Sequence, residues 1–91
     1  MRRAARKDDN QGAVVEALKR VGVSVEVIGR PVDLLICCRG VTSVMEVKNE
    51  EGRDRLTADQ VRFIERWPGK VHVVRTPEEA VRAAIGEEAM K

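Results

Sequence analysis

Apolar side chains recur along this chain at helical spacing in some stretches and in short alternating or continuous runs in others, with turn-forming residues between them. Val14, Val15, Leu18 and Val21 repeat with the period of a helix; Asp8 or Asp9 is available as N-cap and Gly22 as a stop, which predicts a helix from Asp8 to about Arg20. At about 100° per residue Asp8 and Gln11 project close to the Val15 and Leu18 stripe, whereas Glu16 falls well off it and reads as a solvated charge. Residues 23–28 alternate apolar side chains with Ser24 and Glu26, the pattern of a half-exposed strand, and Gly29-Arg30-Pro31 turns the chain. Residues 31–48 are two apolar runs around a turn near Gly40, each too short for a helix, and they predict a hairpin. The first three strands therefore form an antiparallel meander.

Residues 49–55 are polar or turn-forming and read as a loop. Thr57-Ala58-Asp59-Gln60 has the form of a capping box opening a second helix, which runs to Trp67 and is stopped by Pro68-Gly69. Val61, Ile64 and Trp67, or Val61 with Phe63, supply its apolar side. Residues 71–75 are hydrophobic enough for a buried strand lying parallel beside the third, with the second helix as crossover. Thr76-Pro77-Glu78-Glu79 combines an N-cap, a proline at the first helical position and acids in the first turn; Ala80, Val81, Ala84 and Ile85 form an apolar face, Gly86 ends the helix and residues 87–91 read as a frayed tail. The order α-β-β-β-α-β-α predicts an α/β (α+β) fold, a four-stranded mixed sheet flanked by helices. At 91 residues it is one domain with one modest core.

Composition narrows the partners. Hydrophobic residues are 43% and charged residues 35%, the profile of a globular protein rather than a disordered one. Phe63 and Trp67 are the aromatic residues, so nucleic acid would be met through its phosphates rather than by base stacking. The net charge is only +2, and its distribution matters more: Arg2, Arg3, Arg6 and Lys7 form a basic arm over residues 1–7 that either touches phosphates or is a solvated terminus. Arg53 and Arg55, in the loop after Lys48, carry the same two readings. Cys37 and Cys38 are adjacent, so they point to opposite faces of their strand; their spacing suits neither zinc nor a redox motif, and they read as buried small hydrophobes. His72 lacks a second ligand at metal spacing and reads as a satisfied or edge histidine. No apolar run approaches the ~18 residues of a membrane span and nothing resembles a signal peptide, so the expectation is a cytoplasmic protein without membrane contact.

The chemistry concentrates in the hairpin. Strand alternation sends Glu46 and Lys48 one way and Met45 and Val47 the other, and a two- or four-residue loop near Gly40 sets Asp33 opposite Glu46 or Lys48, according to register. Two carboxylates side by side on an apolar sheet repel and resist desolvation, a conflict that a divalent cation between them removes. Asp33, separated from Pro31 by Val32, followed by Glu46-Val47-Lys48, resembles the active site of the PD-(D/E)XK nuclease superfamily. Asp8-Asp9-Asn10-Gln11 is similar to the opening of the first helix in small phage-type and stand-alone VRR-NUC-like nucleases, and Leu56-Thr57-Ala58-Asp59-Gln60 to the segment after their acid-x-lysine strand.

This resemblance spans nearly the whole chain and implies a restriction-endonuclease-like core. It implies Mg2+, with Mn2+ able to substitute, held by Asp33, Glu46 and the backbone carbonyl of Val47, with Lys48 positioning the attacking water and stabilising developing charge. Gln60 is then an active-site amide, a capping partner, or both. Asp8 and Gln11 become accessory residues, Asp8 having the alternative role of helix cap. The partner is DNA, from four-way junctions to ordinary ends, and the resemblance to Holliday-junction resolvases implies a homodimer in a bacterial, archaeal or phage-infected cell. Two other readings compete. One is a non-catalytic nucleic-acid binder, in which two acids would repel phosphate. The other is a structural α/β domain with an Asp33–Lys48 ion pair and Glu46 at the surface, which leaves the inward Asp8, Gln11 and Gln60 without a role.

Overall fold

The computed structural model describes residues 2–49 and 55–86, with side chains from Asn10 onward. In chain order the elements are α1 (Arg2–Arg20), β1 (Ser24–Val27), β2 (Leu34–Cys38), β3 (Val41–Val47), α2 (Ala58–Arg66), β4 (Val71–Val74) and α3 (Pro77–Ile85). The strands lie in the order β1-β2-β3-β4, antiparallel through β3 and parallel between β3 and β4. The predicted mixed four-stranded sheet and its element order are thus the fold of the chain.

Two turns fix the geometry. Leu18, at the end of α1, accepts through its carbonyl from Val23 N–H at 3.0 Å, and Lys19 accepts from Gly22 N–H at 3.0 Å; Gly22 sits at φ +89°. This Schellman arrangement needs a residue that tolerates positive φ, and it packs Val23 back against the helix it has just left. Arg39 and Gly40 join β2 to β3 as a two-residue loop, both at positive φ (54° and 83°), as a hairpin turn matched to strand twist requires. The resulting register pairs Leu34 with Met45 and, continued one step, sets Asp33 opposite Glu46.

Alternation along β3 then gives the sheet two unlike faces. Met45 and Val47 join Val14, Leu18, Leu34, Ile36, Val74 and Ala80 in the main core under α1 and α3. Val44 points the other way, into a small cluster with Val32 and Phe63 that seats α2. Glu46 shares that second face.

Several local expectations change. The helix begins at Arg2 rather than Asp8, because the arginine, alanine and lysine residues before Asp8 are good helix formers and nothing interrupts them; Asp8 is a helix-interior residue and not the N-cap. Val21 lies past the helix, 53% exposed. β4 is an edge strand, not a buried one: Val74 is buried while Val73 is 44% exposed. β1 forms the other edge, leaving Val27 and Ile28 in solvent. Cys37 and Cys38 are half-buried free thiols. On α2 the buried apolar residue is Phe63, while Val61 and Trp67 are exposed; Trp67 is the C-cap residue, its ring stacked on Phe63 at 5.1 Å. The caps of α2 and α3, at Thr57 and Thr76, and the left-handed Gly86 stop are as predicted.

The change at the end of α1 has a measurable form. Leu18→Ala is expected to lower stability in urea unfolding by about 2–5 kcal/mol, whereas Val21→Ala, at a side chain more than half in water, stays within about 0.5 kcal/mol of wild type.

Candidate active site

Asp33 stands just before β2, at the end of a loop that it closes itself: its backbone carbonyl accepts from Ile28 N–H at 2.9 Å and Gly29 N–H at 3.2 Å. Val32, fully buried, anchors the same loop in the small core. Fixed in this way, the Asp33 carboxylate reaches across to β3, where Oδ2 accepts from Val47 N–H at 2.9 Å.

Glu46 and Lys48 are both buried, at 3% and 8% exposure. The backbone of Lys48 is held from two sides, its N–H donating to Val74 O at 2.8 Å on β4 and its carbonyl accepting from Asn10 Nδ2 at 2.8 Å on α1. Its ammonium lies 3.1 Å from Glu46 Oε2 and donates to the carbonyl of Arg55 at 3.3 Å. The same Glu46 oxygen accepts from Gln60 Nε2 at 2.8 Å. Gln60 cannot turn its amide round without loss, because Oε1 accepts from Thr57 N–H at 3.1 Å in the capping box that starts α2. Gln60 is therefore both cap and site amide.

The other oxygen of Glu46, Oε1, is buried and has no hydrogen-bond partner among the described residues. A bare carboxylate oxygen in a low-dielectric site is costly. Burial, and then the charge of Asp33, push the Glu46 carboxyl above its ordinary value of 4.5, against the opposing pull of Lys48 and Gln60. A hard cation placed between Asp33 and Oε1 would relieve both the unpaired oxygen and the repulsion. Among the described residues no three His, Cys, Asp or Glu side chains gather into a metal-binding group. A cation here would hold two carboxylates and complete its shell with backbone carbonyl oxygen and water, a set that suits Mg2+ better than zinc.

Asp33, Glu46, Lys48 and Gln60 thus come together, and Val47 contributes its backbone while its side chain faces the main core. The ion pair joins Lys48 to buried Glu46, so the Asp33–Lys48 pair and the surface position of Glu46 expected of a structural domain are not what forms. Gln11 is half-buried on α1, but among the described residues the α1 side chain that reaches the cluster is Asn10. The signal for Asn10 lay in the stripe: Val14 and Leu18 are fully buried and Val15 only half, so the inward line steps back by four from Leu18 through Val14 to Asn10. The side chains of Arg2, Arg3, Arg6, Lys7 and Asp8, and the whole of Arg53, lie outside the described residues. Arg55 is exposed and serves the cluster through its carbonyl. Compared with protein-family models, with curated proteins and with solved structures, the chain finds no match.

The raised Glu46 carboxyl sets a pH dependence. The folded protein holds this proton more tightly than the unfolded chain, so without a cation stability falls as pH rises from 4.5 through the raised value. Urea unfolding from about pH 4 to pH 7 is expected to show a shallower fall in Glu46→Gln than in wild type. Identical pH slopes would exclude this account of the site.

Proposed function

We propose that this chain is a metal-dependent nuclease that hydrolyses phosphodiester bonds in DNA, with a cluster of the PD-(D/E)XK kind. The observation that carries the reading is the buried Oε1 of Glu46, without a hydrogen-bond partner among the described residues, beside a second carboxylate and a buried lysine. A purely structural ion pair has no use for that bare oxygen, and a phosphate-binding site without metal would be repelled by the two acids.

Asp33 and Glu46, with the carbonyl of Val47, are the groups that would hold Mg2+ or Mn2+. When bound, such an ion would supply charge neutralisation at the phosphoryl oxygens and make water more acidic. Lys48 presents its ammonium at the same carboxylate and stabilises negative charge that grows on the phosphate as water attacks. Gln60, locked in orientation by Thr57, keeps Glu46 Oε2 engaged, so that Oε1 is the oxygen that would be left to hold a cation. Asn10 positions Lys48 through its carbonyl. One chain carries one such cluster, so symmetric cutting of two strands, as at a branched junction, calls for a homodimer.

Cleavage of linear, flapped and four-way DNA is expected with Mg2+ or Mn2+, to stop with EDTA and to be lost in Asp33→Ala and Glu46→Ala. EDTA-resistant cutting, or full activity in either variant, excludes the reading. Lys48→Ala is expected to lower turnover by about 10²–10³-fold while calorimetry still detects Mg2+ binding. Loss of metal affinity in that variant would reassign the lysine. Light scattering at micromolar concentration is expected to give the mass of a dimer; a monomer mass removes the paired-site geometry and leaves the chemistry.

A further inference from the structure

A cleft of about 740 Å³ opens beside the cluster, between the loop that joins β1 to β2 and the side of α2. One wall is Gly29, Arg30 and Pro31; the other includes Gln60, Phe63 and Arg66. Each wall is tied to a site residue. The first is closed by the Asp33 carbonyl at Ile28 and Gly29, and the second contains Gln60, whose amide touches Glu46. Gln60 is the residue that the cleft and the cluster share.

Its charge is arranged for a polyanion. Arg62, also in the wall, is paired with Asp59, and Glu65 contributes a second acid. Arg30 and Arg66 form no ion pair with a described carboxylate and stand on opposite walls. Arg66 is held with its guanidinium 5.7 Å from the centre of the Phe63 ring, which orders the side chain without consuming its hydrogen-bond donors. Guanidinium groups match phosphate geometry with paired N–H donors. The volume lies within the roughly 300–1,000 Å³ of pockets that take one small ligand, so a short stretch of backbone fits.

We propose that this cleft binds the sugar–phosphate backbone of the strand to be cut, with Arg30 and Arg66 gripping phosphates that flank the scissile one. The inference rests on the nuclease reading for its substrate, but its test does not depend on cleavage. Binding of a fluorescent single-stranded oligonucleotide is measured by anisotropy without divalent cation over a series of salt concentrations. Each phosphate contact contributes about 0.7 to the slope of log affinity against log salt on single strands, so Arg30→Ala/Arg66→Ala is expected to flatten that slope by about 1.4. Arg30→Ala alone, on an exposed loop where folding is not at stake, is expected to flatten it by about 0.7.

Lys19→Ala/Arg20→Ala removes the same net charge from the end of α1, on the other side of the sheet, and is expected to leave the slope unchanged. Absence of oligonucleotide binding, an unaltered slope in the Arg30 and Arg66 variants, or an equal loss in the α1 variant each overturns the cleft assignment. Wild-type cleavage of linear, flapped and four-way DNA with Mg2+ or Mn2+ reports on the chemistry separately. If all of these stay uncut while the arginine variants flatten the slope, the nuclease reading falls and the cleft stands as a strand-binding surface.

Discussion

The burial of one carboxylate, Glu46, organises the polar half of this protein. Strand alternation forces it to the side of the sheet opposite Met45 and Val47, and at 3% exposure it needs partners. Lys48 and Gln60 meet on its Oε2, and each brings a segment with it: Lys48 reaches the carbonyl of Arg55, and Gln60 carries the first turn of α2. The apolar seat of α2, around Phe63, Val32 and Val44, is small compared with the core on the other face. Helix α2 is therefore placed by a shared anion as well as by hydrophobic contact. Such a polar network is costly when incomplete, and Oε1, bare among the described residues, is the place where an additional positive charge is most useful.

The two faces of the sheet divide the work. The face under α1 and α3 is a dry core of aliphatic side chains, and it holds β3 rigidly through Met45 and Val47. The opposite face presents the residues between them. Backbone groups link the two layers at Lys48, whose amide and carbonyl are taken by β4 and by Asn10 of α1. The lysine head is thus aimed by an element packed on the far side of the sheet, which is what precise placement of a charged group demands.

Much of this was legible in the sequence where local rules act alone. The Arg39-Gly40 turn, the alternation along β3 and the Thr57 and Thr76 caps each depend on a few neighbouring residues, and together they bring Asp33, Glu46, Lys48 and Gln60 into one place. What was not legible depends on competition or on distant partners. The start of α1 turned on whether an N-cap residue at Asp8 outweighs helix-forming residues before it, and it does not. Asn10 was overlooked because its partner is a backbone carbonyl far along the chain, which leaves no mark in composition. The apolar run of β4 read as buried, yet a strand at the sheet edge exposes one side whatever its residues. Which carboxylate Lys48 would choose was open until the register set Asp33 opposite Glu46 rather than opposite Lys48.

Gln60 carries a consequence for which substitutions the fold can accept. A capping box works equally well with glutamate or glutamine at this position, since either offers an oxygen to the Thr57 N–H. As far as α2 is concerned the two residues are synonyms. At Glu46, however, the second terminal atom of the side chain has to donate, and a glutamate would bring a third negative charge against Oε2 in place of an N–H. The discrimination between two nearly isosteric residues thus comes from the far end of the side chain alone, and a helix start that looks permissive by every local rule is restricted to one amide.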